Sequence, residues 1–277
     1  MLKLAVVGKD VSRSQSPQMH AFILSRMGSE CEYQKVSISP EQFSSQVQSL
    51  FSKYDAFNVT IPFKGEIIPY LQKVCGDADV FGAVNTVTCK NRYGYNTDGF
   101  GFLLMLTNAG VQLNGKTALV LGAGGAGRSC IKKLLDAGAE VFAFERDKER
   151  LLAVHDEFGA FTPLFEVPMR SFDLIINCTG IGMHNTEGQT PTVTWEGGEA
   201  SPVDERILSR CEYAVDLIYV PEQSEFLRIA ASCGKQTVNG GAMLFYQAYM
   251  ADCIYLGKEP SDEEAKKLWE EYRGEKI

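Results

Sequence analysis

Short apolar runs alternate with amphipathic segments along most of the chain. The runs LKLAVVG, YQKVSI and AFNVTI predict strands, and the segments SPQMHAFILSRMG and PEQFSSQVQSLFSKY predict helices. The first helix has a proline in its first turn and Gly28 as its stop signal. A helix near 65–73 and a strand in AVNTVTC follow. This alternation predicts a mostly parallel sheet with helices on its faces.

A second unit of the same kind begins after residue 110. DGFGFLLMLTNAG predicts a helix that ends at Gly110, and VQLNGK is a loop rich in turn residues. Strand, glycine loop and helix follow in TALVLGAGGAGRSCIKKLLDAG, and EVFAFE, FDLIINCTG and AVDLIYV predict three more strands. Residues 183–202 read as a polar loop. Two α/β units in one chain predict a ligand-binding cleft between them.

Composition narrows the kinds of partner and compartment. The net charge of −8 argues against nucleic acid or an anionic membrane as the main partner. The N-terminus lacks the pattern of a signal peptide, and no apolar run reaches the ~18 residues of a membrane span. The cysteines include no C-x-x-C pair, and His20, His155 and His184 are too scattered to indicate a metal site. We therefore expect a reduced, cytoplasmic protein without a metal.

The segment GAGGAG, residues 122–127, matches the pattern G-x-G-x-x-G in the context that its mechanism requires, after an apolar strand and before a helix. The glycines permit a tight turn and let backbone N–H groups approach a pyrophosphate at the positive end of the helix. We therefore predict a dinucleotide-binding loop. Its cofactor-binding residues are Gly122, Ala123, Gly124, Gly125 and Ala126.

The residues after the next strand bear on the choice of cofactor. Glu145 ends that strand about 20 residues after the loop, where an acidic side chain accepts hydrogen bonds from the adenosine ribose. A 2′-phosphate would meet repulsion from Glu145 and Asp147 together. Arg146, between them, could stack on the adenine or bind a 2′-phosphate. The charges favour NAD and leave NADP open.

Polar side chains follow the strands of the first unit. Because carboxyl ends of parallel strands lie along one edge of a sheet, we expect these side chains to converge. Small hydroxyls and amides beside one lysine and one carboxylate suit a polyhydroxylated anion. The residues concerned are Ser14, Ser16, Asn58, Thr60, Lys64, Asn85, Asn96, Thr97 and Asp98.

At these motifs the sequence resembles the shikimate dehydrogenase family. The resemblance runs through nearly the whole chain, in the order of the family's motifs. The matching segments are SRSQSP, NVTIPFK, GAVNT, NTDGFG, GAGGAGR, NCTGIGM and NGGAMLFYQA. It implies a nicotinamide-dependent, reversible reduction of 3-dehydroshikimate to shikimate.

The resemblance also implies roles for single residues. Lys64 and Asp98 would form the catalytic pair beside the oxygen that alternates between ketone and alcohol. Ser14 and Ser16 would hold the substrate carboxylate. The remaining substrate-binding residues would be Thr60, Asn85, Tyr219 and Gln247, and the remaining cofactor-binding residues Thr179, Leu217 and Gly240.

The chemistry of a ketone reduction explains why a lysine stands at a strand end. Hydride arriving at carbon puts negative charge on the oxygen, so a positioned acid must stabilise that charge and supply a proton. Lys64 can do both, and Asp98 would fix its orientation. From its position before GFGFLL, Asp98 could also be a helix N-cap.

The chain departs from the family in places. Asp10 and Arg13 stand where the family usually has proline and histidine, and Asp252 and Tyr255 stand where the closing helix often carries Phe and Trp. NADP-dependent members have Asn-Arg-Thr in place of Glu-Arg-Asp at 145–147. This last difference argues against NADP, the usual cofactor of the family.

Together these features predict a two-domain α/β protein. Residues 1–101, with C-terminal helices at 238–277, would form the substrate domain, and residues 102–237 a Rossmann nicotinamide-cofactor domain. Two alternatives stay open: a quinate or dual quinate/shikimate dehydrogenase that uses NAD, and a non-catalytic sensor of a cyclic polyol acid. We expect a monomer or homodimer with a small-molecule substrate, either shikimate and 3-dehydroshikimate or quinate.

Overall fold

The computed structural model describes residues 1–183 and 200–275 of the chain. His184 and most of the predicted polar loop at 183–202 lie outside the described residues. The chain forms two compact units, Met1–Leu104 with Leu244–Ile277, and Met105–Met243. No helix within the described ranges has both the length and the apolar composition needed to cross a membrane.

Strands and helices alternate through both units, which confirms the predicted α/β class. The strands are β1 (Leu2–Gly8), β2 (Cys31–Ser37), β3 (Ala56–Val59), β4 (Lys73–Val74), β5 (Thr86–Thr88), β6 (Tyr93–Tyr95), β7 (Thr117–Leu121), β8 (Glu140–Phe144), β9 (Thr162–Leu164), β10 (Phe172–Asn177), β11 (Cys211–Asp216) and β12 (Gln236–Asn239). The helices are α1 (Ser16–Arg26), α2 (Pro40–Lys53), α3 (Asp77–Phe81), α4 (Asp98–Asn108), α5 (Gly125–Asp136), α6 (Lys148–Phe158), α7 (Glu205–Leu208), α8 (Glu225–Ser232), α9 (Gly241–Leu256) and α10 (Asp262–Glu275).

The sheet of the first unit has the strand order β2-β1-β3-β5-β6-β4. The strand β1 pairs in parallel with β2 and β3, and β4 pairs in parallel with β6. The strand β5 is antiparallel to both of its neighbours, β3 and β6. Parallel pairing of β1 and β3 brings their carboxyl ends to one edge, where the predicted polar side chains begin.

Helices cover both faces of this sheet because each has an apolar stripe at helical spacing. On α1 the buried side chains are Met19, His20, Ile23 and Leu24. On α2 they are Phe43, Val47 and Leu50, which join Ala5, Val7, Phe57 and Val59 of the sheet in one core cluster. Leu4, Leu24 and Ala56 form a second cluster with Tyr33 and Tyr255. Because alternate residues of a strand face opposite sides, Ala5 and Leu4 belong to different clusters.

The sheet of the second unit is parallel throughout, with the order β12-β11-β10-β7-β8-β9. This is the doubly wound order of dinucleotide-binding folds, in which the strand order reverses beside the first strand. That first strand is β7, which runs into the glycine loop. The predicted cofactor loop therefore lies at the reversal point of its own sheet, where such folds bind ligands.

The prediction of a helix near 65–73 is wrong. A 3-10 helix covers only Ile68–Tyr70, and residues 73 and 74 form β4 instead. Pro69 lacks the N–H group that a continuing α-helix needs. The backbone of Lys73 and Val74 pairs with Tyr93 and Gly94 in β6, a strand that the sequence pattern does not indicate.

A buried polar pair joins α1 to α9 in the first unit. Nδ1 of His20 lies 2.7 Å from Oδ1 of Asp252, and both side chains are fully buried. The His20 ring also stacks on Tyr33, with 4.7 Å between ring centroids. Burial raises the pKa of Asp252, and the proximity of His20 acts in the opposite direction. The pair thus ties residues 232 positions apart in the chain.

Removing the histidine alone should destabilise the protein strongly. In His20→Ala the carboxyl group of Asp252 loses its partner in a site without water access, so we expect the free energy of unfolding to fall by about 3–5 kcal/mol. Urea unfolding followed by circular dichroism measures this change. The control is His155→Ala on α6, whose half-buried ring packs edge to face against Phe161. An equal loss in the two variants would contradict the role of the pair.

Candidate functional site

Lys64 and Asp98 form an ion pair in the first unit. Nζ of Lys64 lies 2.6 Å from Oδ2 of Asp98, with 30% and 19% of the two side chains exposed. Lys64 stands in the turn after β3, and the buried side chains of Phe63 and Ile67 anchor that turn in the core. Asp98 is the first residue of α4. The ammonium group is therefore held in place yet partly open to a ligand.

Asn85 holds the other oxygen of the carboxylate. Its Nδ2 donates to Oδ1 of Asp98 at 2.9 Å, and its Oδ1 accepts from the backbone N–H of Thr97 at 3.0 Å. The backbone N–H of Val84 donates to the carbonyl of Lys64, which joins the two segments directly. Each oxygen of Asp98 therefore has its own side-chain donor, so the carboxylate cannot rotate without losing a hydrogen bond.

Ser14 and Ser16 lie together at the start of α1. The hydroxyl of Ser14 donates to that of Ser16 at 3.0 Å, and the backbone N–H of Ser16 donates to the Ser14 hydroxyl. A cavity at this point is lined by Arg13, Ser14 and Lys35, among others. Two cationic side chains and a helix N-terminus make this region suited to an anion.

Thr60 and Gln247 both belong to the first unit. Oε1 of Gln247 accepts from the Thr97 hydroxyl at 3.4 Å, which connects α9 to the residue before Asp98. Thr60 follows β3 directly, and its backbone N–H donates to the carbonyl of Val7. A Cβ atom on Gly8 would lie 2.5 Å from the Thr60 methyl group, so the glycine allows this close approach.

The glycine loop of the second unit has the geometry that a dinucleotide needs. Gly122 has φ +97, in the region that favours glycine, and a Cβ on Gly127 would lie 2.0 Å from the carbonyl oxygen of Gly122. A Cβ on Gly124 or Gly125 would contact nothing within 4 Å, so the backbone there faces open space. The helix α5 begins at Gly125. These residues fit a pyrophosphate at a helix N-terminus.

Glu145 is hydrogen bonded to the backbone of this loop. Its Oε2 accepts from the backbone N–H of Ala123 at 3.1 Å, and its Oε1 accepts from that of Asp147 at 3.2 Å. The guanidinium group of Arg150 lies beside both carboxylates. Its Nη1 is 3.6 Å from Oε2 of Glu145, and its Nη2 is 3.4 Å from Oδ2 of Asp147. Asp147 caps α6 by accepting from the backbone N–H of Arg150. Arg146 is exposed beside them.

A buried carboxylate connects the two loops that carry Thr179 and Leu217. Asn177 and Asp216 are paired residues at the ends of β10 and β11, and Nδ2 of Asn177 donates to Oδ1 of Asp216 at 3.1 Å. Asn177 Oδ1 accepts from the backbone N–H and hydroxyl of Thr179. Asp216 also accepts from the backbone N–H of Ile218. This pair therefore fixes both loops.

Gly240 and Tyr219 belong to the second unit as well. A Cβ on Gly240 would lie 2.2 Å from the carbonyl oxygen of Leu217, so only glycine permits this backbone approach. The side chain of Tyr219 is exposed, three residues after the buried Asp216. Its contact with a substrate carboxylate stays a prediction.

Comparison with known proteins agrees with this architecture. Residues 6–87 match the family model described as the shikimate dehydrogenase substrate binding domain. The shikimate dehydrogenase (NADP(+)) of Thermus thermophilus is 36% identical over 265 residues, covering 94% of each chain. That of Carboxydothermus hydrogenoformans is 31% identical over 273 residues, covering 95% of this chain and 94% of the relative. The crystal structure of shikimate 5-dehydrogenase from Thermus thermophilus in complex with NADP(H) and shikimate superposes with a TM-score of 0.82 at 33% identity, covering 97% of this chain and 98% of the other.

These similarities define the class of protein. It is a nicotinamide-dependent oxidoreductase that acts on a CH–OH group. The chain belongs to the shikimate dehydrogenase family.

Sequence reasoning missed several residues that the structure brings to these sites. Asn177 and Asp216 stand at strand ends, so the rule that identified Lys64 and Asn85 would have found them if applied to the second unit. Arg150 lies one helical turn into α6, and no strand-end pattern points to it. Its distance from Glu145 in the sequence is five residues, but the turn at Asp147 brings the two side chains together.

Asp216 should impose a distinct pH dependence on stability. Burial raises its pKa to about 6, against the opposing effect of hydrogen bonds from Ser224, Ile218 and Asn177. The folded protein then keeps this proton to about pH 6, whereas an unfolded chain releases it near pH 4. Because the folded state binds more protons in this window, its stability falls as pH rises through it.

We expect Asp216→Asn to remove this slope. Between pH 4 and pH 6, the free energy of unfolding of the wild type should fall relative to the variant by up to about 3 kcal/mol. Urea unfolding of both proteins at a series of pH values measures the difference. Groups such as Asp173, whose pKa is lowered to about 2, contribute equally to both proteins and cancel. Parallel curves would contradict the assignment to Asp216.

Proposed function

We propose that the protein is a shikimate dehydrogenase that reversibly reduces 3-dehydroshikimate to shikimate, in the biosynthesis of chorismate and the aromatic amino acids. The observation that carries the proposal is the hydrogen-bonded set of Lys64, Asp98 and Asn85 in the same unit as Ser14 and Ser16. A relative that is 33% identical over almost the whole chain has a crystal structure with shikimate and NADP(H), which supports the same substrate here.

The proposed reaction uses Lys64 as the acid. The bound nicotinamide supplies the hydride. As negative charge builds on the carbonyl oxygen, the ammonium group of Lys64 stabilises it and transfers a proton to it, giving the alcohol. Asp98 orients the ammonium group through the 2.6 Å contact, and Asn85 in turn fixes Asp98. In the oxidation of shikimate, neutral Lys64 accepts the proton from the hydroxyl.

The proposed binding of the substrate carboxylate involves Ser14 and Ser16. Their hydroxyls lie at the N-terminus of α1, whose partial positive charge favours an anion. Arg13 and Lys35 add two cationic side chains to the cavity beside Ser14. We further propose that the remaining polar groups bind ring hydroxyls or the carboxylate. These residues are Thr60, Asn85, Gln247 and Tyr219.

Lys64→Ala should separate binding from turnover. We expect kcat to fall by about 100-fold or more, since a positioned proton donor contributes roughly that much. Binding of shikimate, measured by isothermal titration calorimetry, should persist because the serines are unchanged. The control is Lys90→Ala, which removes an exposed lysine from the turn between β5 and β6. Near-normal turnover of Lys64→Ala would contradict the catalytic assignment.

We also propose that the protein prefers NAD to NADP, unlike its named relatives. Glu145 is placed beside the glycine loop by its contact with Ala123 and is the acidic residue that accepts from ribose hydroxyls in NAD-binding folds. Its charge opposes a 2′-phosphate. The positive charges of Arg150 and Arg146 would attract a 2′-phosphate and so favour NADP. Glu145 is nevertheless held at the loop by two hydrogen bonds and by its contact with Arg150. The proposal therefore rests on the position of Glu145.

Glu145→Ala should weaken NAD more than NADP. We expect the KM for NAD to rise about tenfold or more, as for the loss of a hydrogen bond to a charged group, while the KM for NADP changes little or falls. Steady-state kinetics with each cofactor measure the two values. Glu149→Ala removes an equal charge from an exposed position on α6 and serves as the control. An equal loss for both cofactors would contradict the ribose assignment.

Four mixtures test the whole proposal: shikimate or quinate, each with NAD or NADP, followed by the absorbance of the reduced nicotinamide. Turnover with shikimate supports the proposed activity. Comparing the rates with NAD and with NADP decides which cofactor the protein prefers. Turnover with quinate would identify a dual or quinate-specific enzyme. Shikimate binding without turnover in any mixture would identify a non-catalytic sensor and overturn the proposal.

A further inference from the structure

The hydroxyl of Tyr33 donates to Oδ1 of Asn58 at 2.7 Å. Desolvation raises the pKa of Tyr33 well above its usual value, and the nearby hydroxyl of Ser16 opposes that effect. Ser16 in turn accepts from Ser14 at 3.0 Å. The phenol is therefore a neutral donor to Asn58 that lies beside the serines proposed to hold the substrate carboxylate.

The hydrogen bonds continue from Asn58 to the catalytic carboxylate. Nδ2 of Asn58 donates to the hydroxyl of Thr86 at 3.3 Å, and this hydroxyl donates to Oδ1 of Asn85 at 2.8 Å. Nδ2 of Asn85 then donates to Oδ1 of Asp98 at 2.9 Å. All the donors point the same way, and the series ends on the only charged acceptor in it. We call this series the Tyr33–Asp98 relay; its members are Tyr33, Asn58, Thr86, Asn85 and Asp98.

The register of the sheet explains why the relay forms. Tyr33 pairs with Leu4 across β2 and β1, and Asn58 pairs with Val6 across β3 and β1. Because Leu4 and Val6 are two residues apart, the side chains of Tyr33 and Asn58 face the same side of the sheet. Thr86 is directly opposite Asn58 in the antiparallel pair of β3 and β5. A shift of any strand by one residue would break the relay.

The interior of the relay is shielded from water. Asn58, Thr86 and Asn85 are 6%, 0% and 3% exposed. In such an environment, hydrogen bonds in series strengthen one another, and a member left without its partner is costly. The ring of Tyr33 is held by stacking on His20, so its hydroxyl cannot move toward another partner without breaking that contact.

We propose that Tyr33 is a positioning residue that acts on the Lys64–Asp98 pair through the relay. The inference rests on the proposed function of that pair. The Tyr33 hydroxyl fixes the amide of Asn58, and the hydrogen bonds of Asn58, Thr86 and Asn85 continue to Oδ1 of Asp98. Loss of this hydroxyl therefore loosens the carboxylate that orients Lys64.

The variant Tyr33→Phe tests this role because it keeps the ring on His20 and removes only the hydroxyl. We expect kcat to fall about 5- to 50-fold, since Asn58 loses its donor and Asp98 receives a weaker hydrogen bond. The KM for shikimate should stay within about threefold, since Ser14 and Ser16 are unchanged. The pH below which kcat declines should be higher in the variant than in the wild type.

The matched control is Tyr54→Phe. Tyr54 in the same unit donates to Oε1 of Gln34 at 2.8 Å, a hydrogen bond of similar length outside the relay. This variant should leave kcat and its pH profile unchanged. A mere loss of folded enzyme would lower kcat in either variant without moving the pH profile, so the profile separates positioning from stability.

A double-mutant cycle tests the continuity of the relay. Thr86→Val removes the hydroxyl two steps further on. If the relay acts as a unit, Tyr33→Phe combined with Thr86→Val should lose little more activity than the worse single variant. Multiplicative losses would overturn the relay and leave two independent structural effects.

An NMR measurement that needs no turnover tests this inference separately from the proposed function. In the unliganded protein, Tyr33→Phe should shift the side-chain amide NMR signals of both Asn58 and Asn85, and Tyr54→Phe should shift neither. A shift at Asn58 alone would overturn transmission along the relay even in an active enzyme. A wild type that oxidises shikimate with neither NAD nor NADP would overturn the proposed function, and the positioning role with it, whatever the NMR signals show.

Discussion

The pairing of β3 with β1 on one side and β5 on the other is the constraint on which the first unit depends. It places Asn58 opposite Thr86 and brings the turn after Val59 to the same edge as Asn85. The hydrogen bond from Val84 to the carbonyl of Lys64 then fixes the lysine beside the start of α4. Because side chains alternate across a strand, this register decides which residues meet Asp98 and which enter the core.

Three buried or half-buried carboxyl groups are stabilised in three different ways. Asp98 is paired with a lysine and an amide and stays partly open to solvent. Asp216 is fully buried and accepts only neutral donors, so burial dominates its pKa. Asp252 is paired with a histidine inside an apolar cluster. The surroundings of each carboxyl group, rather than the residue type, determine whether it is open to a ligand or closed inside the core.

The sequence was sufficient to predict the α/β class, the glycine loop and the polar residues that meet at Asp98. These features are local or follow from strand ends, so periodicity and motif spacing report them. The helix expected near 65–73 failed because Pro69 and the pairing of Lys73 with β6 override the local pattern. Arg150 and Tyr33 were missed for another reason. Their partners are set by a turn and by the register of three strands, which no short segment of sequence encodes.

The discontinuity of the first unit has a consequence for how the chain is made. Residues 1–104 lack α9 and α10, and with them Asp252, the partner of His20. During synthesis from the N-terminus, the whole of the second unit emerges before these helices do. The nascent first unit must therefore hold the apolar surface around Leu4, Leu24 and Tyr33 uncovered while all of residues 105–243 are made. This surface is covered only when α9 has been made and its residues Tyr255 and Leu256 can pack against it.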